Sequence, residues 1–206
     1  MEKIKEEVLK NINSNYNNIK FQLETPYGSS DFDIIREEIC KCILFDLNQA
    51  AITLTNHFSE FFMKIMLEYQ EVRNNKSNEL SVATKLKESV EKYDNENLEK
   101  NINVACSKGI ITKEQKLILK RLKDKYRNPY SHSIKYKIFG DQILKGFTID
   151  NVIGFNLTET KISDSPQLHG LFQMLKSKKE AIEYFKQFDE IVRNVLDNFY
   201  SKPENL

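Results

Sequence analysis

An arginine and a histidine stand five positions apart in the stretch Arg127-Asn128-Pro129-Tyr130-Ser131-His132. Arginine carries a fixed charge and a planar fork of donors that suits phosphate oxygens. Histidine, with an unperturbed pKa near ~6.5, both takes and gives protons near neutrality. Around one phosphate the two could cleave a phosphodiester without a metal ion. Asn128 precedes Pro129, and a residue before proline is pushed away from helical geometry. The sequence therefore predicts a change of chain direction between Arg127 and His132.

The segment leading to this stretch is a basic amphipathic helix. At about 100° per residue, Lys116, Lys120, Lys123 and Arg127 fall on one narrow face. A row of cations ending at Arg127 could track a nucleic-acid backbone. The alternative is an ordinary solvated helix surface. Tyr130 could stack on a base or simply pack the turn. His57 and Glu60, one helical turn apart, could support the same cleft from another helix. The commoner arrangement for such a pair is a hydrogen-bonded polar edge of that helix's core face. His169 follows Ser165-Pro166 and reads as a structural or surface residue. No glycine-rich phosphate loop and no metal-ligand spacing is present, so kinase, dehydrogenase and metallohydrolase chemistry find no support.

These residues need a scaffold, and the hydrophobic periodicity supplies a helical one. Residues 2–20 carry an interrupted apolar stripe of Ile4, Val8, Ile12 and Ile19. Asp31 or Asp33 is placed to cap a helix holding Ile34, Ile35, Ile39 and Ile43. From about Phe45 to Arg73, Leu47, Ala50, Ala51, Leu54, Phe58, Phe61, Phe62, Ile65 and Tyr69 make a wide apolar face suited to a bundle core. Shorter helices are predicted over 81–93 and 95–108, the second closed by Gly109. Thr112-Lys113-Glu114-Gln115 has the form of a capping box and opens the basic helix. Residues 136–160 change character: Phe147-Thr148-Ile149 and Val152 to Leu157 flank Asp150-Asn151, which predicts a β-hairpin. A last helix over about 167–200 places Leu168, Leu171, Phe172, Leu175, Ile182, Phe185, Val192, Val195, Leu196 and Phe199 toward the core.

Composition sets the outer limits. With 206 residues, 40% hydrophobic and 30% charged, the chain can build a core without covalent staples. Only six glycines and four prolines interrupt it, which favours helices. The net charge of +1 excludes a polycation, so nucleic acid would bind at a local patch. Cys40, Cys42 and Cys106 are an odd set without a second pair and read as reduced thiols rather than a disulfide framework. No apolar run reaches the length of a membrane span. The charged start, Met1 to Glu7, lacks the apolar core of a secretory signal. The expectation is a cytoplasmic protein that needs no cofactor.

The hexapeptide resembles the Arg-x(4–6)-His signature of the HEPN superfamily, in which a polar residue, often Asn, follows the arginine. The helices of roughly residues 44–132 and the terminal helix carry the resemblance; residues 1–30 and 136–166 do not. It implies an all-α, HEPN-like bundle forming a single domain, with an N-terminal extension over 1–30 and a small β-hairpin insertion near 136–160. It implies metal-independent endoribonuclease activity. His132 would act as base or acid, Arg127 would bind the scissile phosphate, and Asn128 would orient His132 or bind phosphate. The products would be a 2′,3′-cyclic phosphate and a 5′-hydroxyl. Lys116, Lys120, Lys123 and Tyr130 would contact RNA. HEPN ribonucleases typically pair two motifs across a dimer, so a homodimer is implied, in a toxin or antiviral defence setting with an antitoxin or sensor as partner and no membrane. In toxins of the HEPN–nucleotidyltransferase pairs a tyrosine commonly stands two residues after the histidine. Here that position is Ile134, which departs from the subfamily. A catalytically silent HEPN-like RNA-binding or dimerisation module is the competing expectation.

Overall fold

The longest unbroken apolar face in the chain becomes the axis of the fold. The structure, a computed structural model, describes residues 1–74, 79–132, 134–150, 154–164 and 169–201. Its helices are α1 (Glu2–Glu24), α2 (Ser30–Leu44), α3 (Asn48–Arg73), α4 (Glu79–Asp94), α5 (Leu98–Ser107), α6 (Lys113–Leu122), α7 (Asn128–Ser131), α8 (Lys135–Phe139) and α9 (His169–Ser201). The strands are β1 (Ile143–Asp150) and β2 (Gly154–Lys161). The chain is thus mostly helical with one small antiparallel sheet.

α3 packs against α2, α4, α5 and α9. Its Phe58 and Phe62 meet Phe32 of α2 and Phe188 of α9 edge-on, with Phe32–Phe62 centroids 5.1 Å apart and Phe58–Phe188 5.2 Å apart. Such tilted pairs suit the quadrupoles of the rings. All four side chains are fully buried. The predicted helix from Phe45 is shorter at its start, because α2 ends there. Asp46 takes φ 62°, Leu47 N–H donates to Cys42 C=O (2.8 Å) and Asp46 N–H to Ile43 C=O (3.1 Å). That pair of bonds is a Schellman closure with Asp in the left-handed position. Consequently Leu47 and Ala50 are exposed rather than in the core. Gly109 closes α5 in the same way at φ 70°, as its sequence position predicts.

α1 docks on α2 and α9 and buries Ile19, while Ile4 stays exposed. Its C-terminal carbonyls would otherwise be orphaned. Arg36 of α2 donates to Gln22 and Leu23, and Arg193 of α9 donates to Thr25 at 2.7 Å. Asp33 does not cap α2 from its first position. It reaches back to accept from the backbone N–H groups of Tyr27, Gly28 and Ser29 and from Arg36 Nε.

β1 and β2 pair from Ile143 opposite Lys161 to Asp150 opposite Gly154, so the expected hairpin forms. Val152 and Ile153 lie outside the described residues, as does Leu168. A second small core of Ile138, Phe139 and Ile162 anchors the hairpin, and Tyr130 packs against both cores. His169 is buried here, as the structural reading of it expects. Its ring stacks on Phe139, and Nε2 lies 2.9 Å from Ile162 C=O. Leu171 and Leu175, expected in the core, are exposed together with Met174. The start of α3 lies beside this turn, with Gln173 donating to Gln49, but leaves these three side chains uncovered. No helix among the described residues is long and apolar enough to cross a membrane.

Candidate active site

The site is built where α6 runs into α7. The capping box is complete: Thr112 Oγ1 accepts from Gln115 N–H at 3.1 Å, and Gln115 Oε1 accepts from Thr112 N–H at 2.8 Å. This fixes the start of α6, and buried Leu119, Leu122 and Tyr126 fix its face. The expected change of direction at Asn128-Pro129 does not occur. Lys123–Arg127 forms a turn of π-helix, Asn128 N–H donates to Lys123 C=O, and Asn128 stays helical at φ −64°, ψ −47°. Proline removes one helical donor and presses on the carbonyl four residues back. The wider turn takes up that clash by accommodating one extra residue. The chain leaves the helix only at His132 (φ −107°, ψ 6°).

Arg127 and His132 come together. Arg127 Nη1 lies 3.4 Å from His132 Nε2 and 3.3 Å from Asn128 Oδ1. The other side of the guanidinium is taken by α3: Nε and Nη2 both sit 2.7 Å from Glu60 Oε1. A charge-assisted contact of this kind fixes the plane of the fork. Asn128 Nδ2 donates to Asp124 Oδ1 at 3.1 Å, which orients the amide so that its oxygen faces Arg127. His132 is exposed and the Arg127 side chain retains 27% of its accessible surface, so a phosphate can reach both. For Arg127 to donate toward Nε2, that nitrogen must carry no proton.

The described chain matches no protein-family model, no curated protein and no solved structure.

The remaining residues of the motif are tied to the bundle. Tyr130 donates to Glu180 at 2.9 Å, and burial, then the Glu180 charge, push its hydroxyl well above the usual phenol range. A base-stacking role would therefore use only the exposed part of a half-buried ring. Ser131 Oγ accepts from Asn56 Nδ2 at 3.3 Å, and Asn56 Oδ1 accepts from the buried Tyr184 hydroxyl at 2.9 Å. Asn56 and Glu60, one turn apart on α3, thus grip the motif at Ser131 and at Arg127. Glu60 stands out in the sequence beside His57, whereas Asn56 does not. The four-residue spacing was the available signal, and nothing in it distinguishes Asn56 from an ordinary polar edge. His57 points elsewhere: it is exposed and its ring lies parallel to Phe61 at 6.3 Å.

The basic row is partly engaged. Lys120 and Lys123 both contact Glu99 of α5, at 3.1 and 2.5 Å. Their hydrogen bonds, Lys123 first, hold the Glu99 carboxyl below its usual value. Lys116 is half-buried on the same helix. Off the row, Arg121 donates to Gln187 and Lys125 lies 3.5 Å from Glu183, both on α9. Cys40 is buried, and desolvation pushes its thiol up to about 12, so it is inert as a nucleophile.

Proposed function

We propose that this chain is a HEPN-like, metal-independent endoribonuclease acting in the cytoplasm as a toxin or antiviral defence effector. The 3.4 Å approach of Arg127 Nη1 to His132 Nε2 on an open surface supports this reading above any other observation. A phosphodiester placed over that gap meets a fixed cation and a proton acceptor together. His132 takes the proton of the ribose 2′-hydroxyl, and the 2′-oxygen attacks the adjacent phosphorus. Arg127 stabilises the extra negative charge of the pentacoordinate state through Nη1, the donor that Glu60 leaves free. The P–O5′ bond breaks, the 5′-oxygen takes up a proton, and the products are a 2′,3′-cyclic phosphate and a 5′-hydroxyl. Asn128 shares the Nη1 edge as an acceptor, so it orients Arg127; its Nδ2 could donate to a phosphate oxygen only by leaving Asp124. One His132 supplies one proton-transfer group, so the second comes from another copy of the chain in a homodimer.

The test is cleavage of single-stranded RNA by wild type, Arg127→Ala and His132→Ala, each with and without EDTA. Wild-type activity should survive EDTA. Each variant should fold and lose at least about a hundredfold in rate, the usual contribution of a positioned acid–base group. An undiminished His132→Ala protein, or a strict requirement for Mg²⁺, would overturn the mechanism. RNA binding without cleavage in wild type would assign the chain to the silent, RNA-binding reading instead.

A further inference from the structure

We infer that Lys120 and Lys123 form a second phosphate site beside the Arg127–His132 pair, which the Glu99 carboxylate occupies until an RNA phosphate displaces it. This rests on the endoribonuclease reading and adds to it a track for the flanking nucleotides and a residue that tunes its affinity. The geometry is that of a gripped anion: Lys120 Nζ sits 3.1 Å from Glu99 Oε1, and Lys123 Nζ sits 2.5 Å from Oε2. A phosphodiester offers the same feature, two oxygens sharing one negative charge. It can be held by the same two ammonium groups.

The cations belong to the fixed wall and the carboxylate to the movable part. The Lys123 side chain retains only 11% of its accessible surface and Lys120 31%, whereas Glu99 retains 50%. The lysines stand on α6, which is pinned by its capping box and by buried Leu119 and Leu122. Glu99 lies in the first turn of α5, whose N-terminus is capped by Asn97. A displaced carboxylate therefore still faces the positive end of a helix. Asp124, 3.5 Å from Lys123 Nζ, is the other carboxylate at this place, and it is already bound to Asn128.

The site is also in the right position. Lys123 stands four residues before Arg127, about one helical turn away. A strand with one phosphate at Arg127 brings a neighbouring phosphate over Lys123 and Lys120. Glu99 meets the two lysines from the solvent side, half exposed, where ion pairs are weakened by water and screened by salt. Glu99 can therefore lower the affinity for RNA without blocking it.

The experiment measures binding of a labelled single-stranded RNA to the full chain carrying His132→Ala, across a range of salt. Adding Glu99→Gln should tighten binding by about three- to tenfold near physiological salt. It should also steepen the slope of log K against log salt by up to about 0.7, one single-strand phosphate contact. In a Lys120→Ala/Lys123→Ala background the gain should vanish, since the site itself is gone. Circular dichroism on each variant checks the fold. Unchanged or weaker binding by Glu99→Gln, or a gain that persists without the two lysines, would overturn the second site. Wild-type cleavage with such a result would leave the ribonuclease reading intact. A folded chain that neither binds nor cleaves RNA would overturn both.

Discussion

Glu60 Oε1 receives both Nε and Nη2 of Arg127, each at 2.7 Å, across 67 residues of sequence. One oxygen thus fixes the orientation of the guanidinium and turns its remaining edge, Nη1, toward His132. In the proposed mechanism Glu60 touches neither RNA nor the reacting atoms. It is a positioning residue.

Glu60→Ala should therefore lower kcat by about ten- to a hundredfold, the scale on which misplacing a reacting group is felt. KM should change little, since the charge of Arg127 remains. Glu60→Gln keeps an acceptor oxygen toward Nε and should recover part of kcat. Steady-state kinetics on a short RNA separates the two parameters. If Gln and Ala were equally inactive with raised KM, Glu60 would be shaping the RNA site rather than orienting Arg127.

The second grip on the motif carries a stability signature. Asn56→Ala removes the acceptor of the buried Tyr184 hydroxyl, which then keeps only its contact with Ser59, and leaves Ser131 without its donor. A stranded buried polar group costs about 1–3 kcal/mol. Urea unfolding should show that loss. Adding Tyr184→Phe removes the stranded hydroxyl, so the double variant should be more stable than the sum of the singles. Simple additivity would show that Tyr184 finds another partner and that Asn56 is not its anchor.

Asp33 predicts how the fold responds to acid. Burial by itself would raise its carboxyl, but the Tyr27 N–H, the Arg36 guanidinium and the Ser29 N–H outweigh it, and the group is held below its ordinary value of 3.8. A carboxyl depressed in the folded state contributes stability above its unfolded pKa. That contribution is lost as pH falls through the lower folded value. Wild type should thus lose stability below about pH 4, and Asp33→Asn should flatten that limb while being less stable at neutrality. Thermal melts from pH 2 to 7 on both proteins decide it. Parallel curves would mean that Asp33 does not drive the acid transition.

What could be read from sequence was local. The capping box at Thr112–Gln115, the Gly109 closure and the hairpin depend on neighbours in the chain, and all three formed. The Arg127–His132 meeting is also short-range, and the spacing pointed to it. The π-turn was not legible: the rule about residues before proline predicts a break at Asn128. The bundle instead keeps the helix intact because buried Tyr126 and Pro129 hold both sides of the wider turn. Asn56 and Ser131 lie 75 residues apart, beyond any periodic signal. Likewise Leu171 and Leu175 follow the apolar repeat, but a repeat does not say which part of a face its neighbours cover. The Lys120–Glu99–Lys123 bridge depends on how α5 docks on α6, so the basic row looked freer in sequence than it is.

The final prediction concerns assembly. One chain presents one Arg127–His132 pair at its surface, while the proposed cleavage gains from both a base and an acid. A twofold axis supplies the second His132 from an identical chain. Near the start of α3 and α9, Leu47, Leu171, Met174 and Leu175 are each more than half exposed, an unusual concentration of large apolar side chains. If the second copy covers them, Met174→Glu and Leu175→Glu should leave the helical content unchanged. They should also shift the protein from dimer to monomer in sedimentation and abolish cleavage in step with that shift. A wild-type protein that is monomeric at the concentrations where it cleaves would refute the composite site. Charged variants that stay dimeric and active would instead refute this apolar surface as the interface, because another face would then bring the two motifs together.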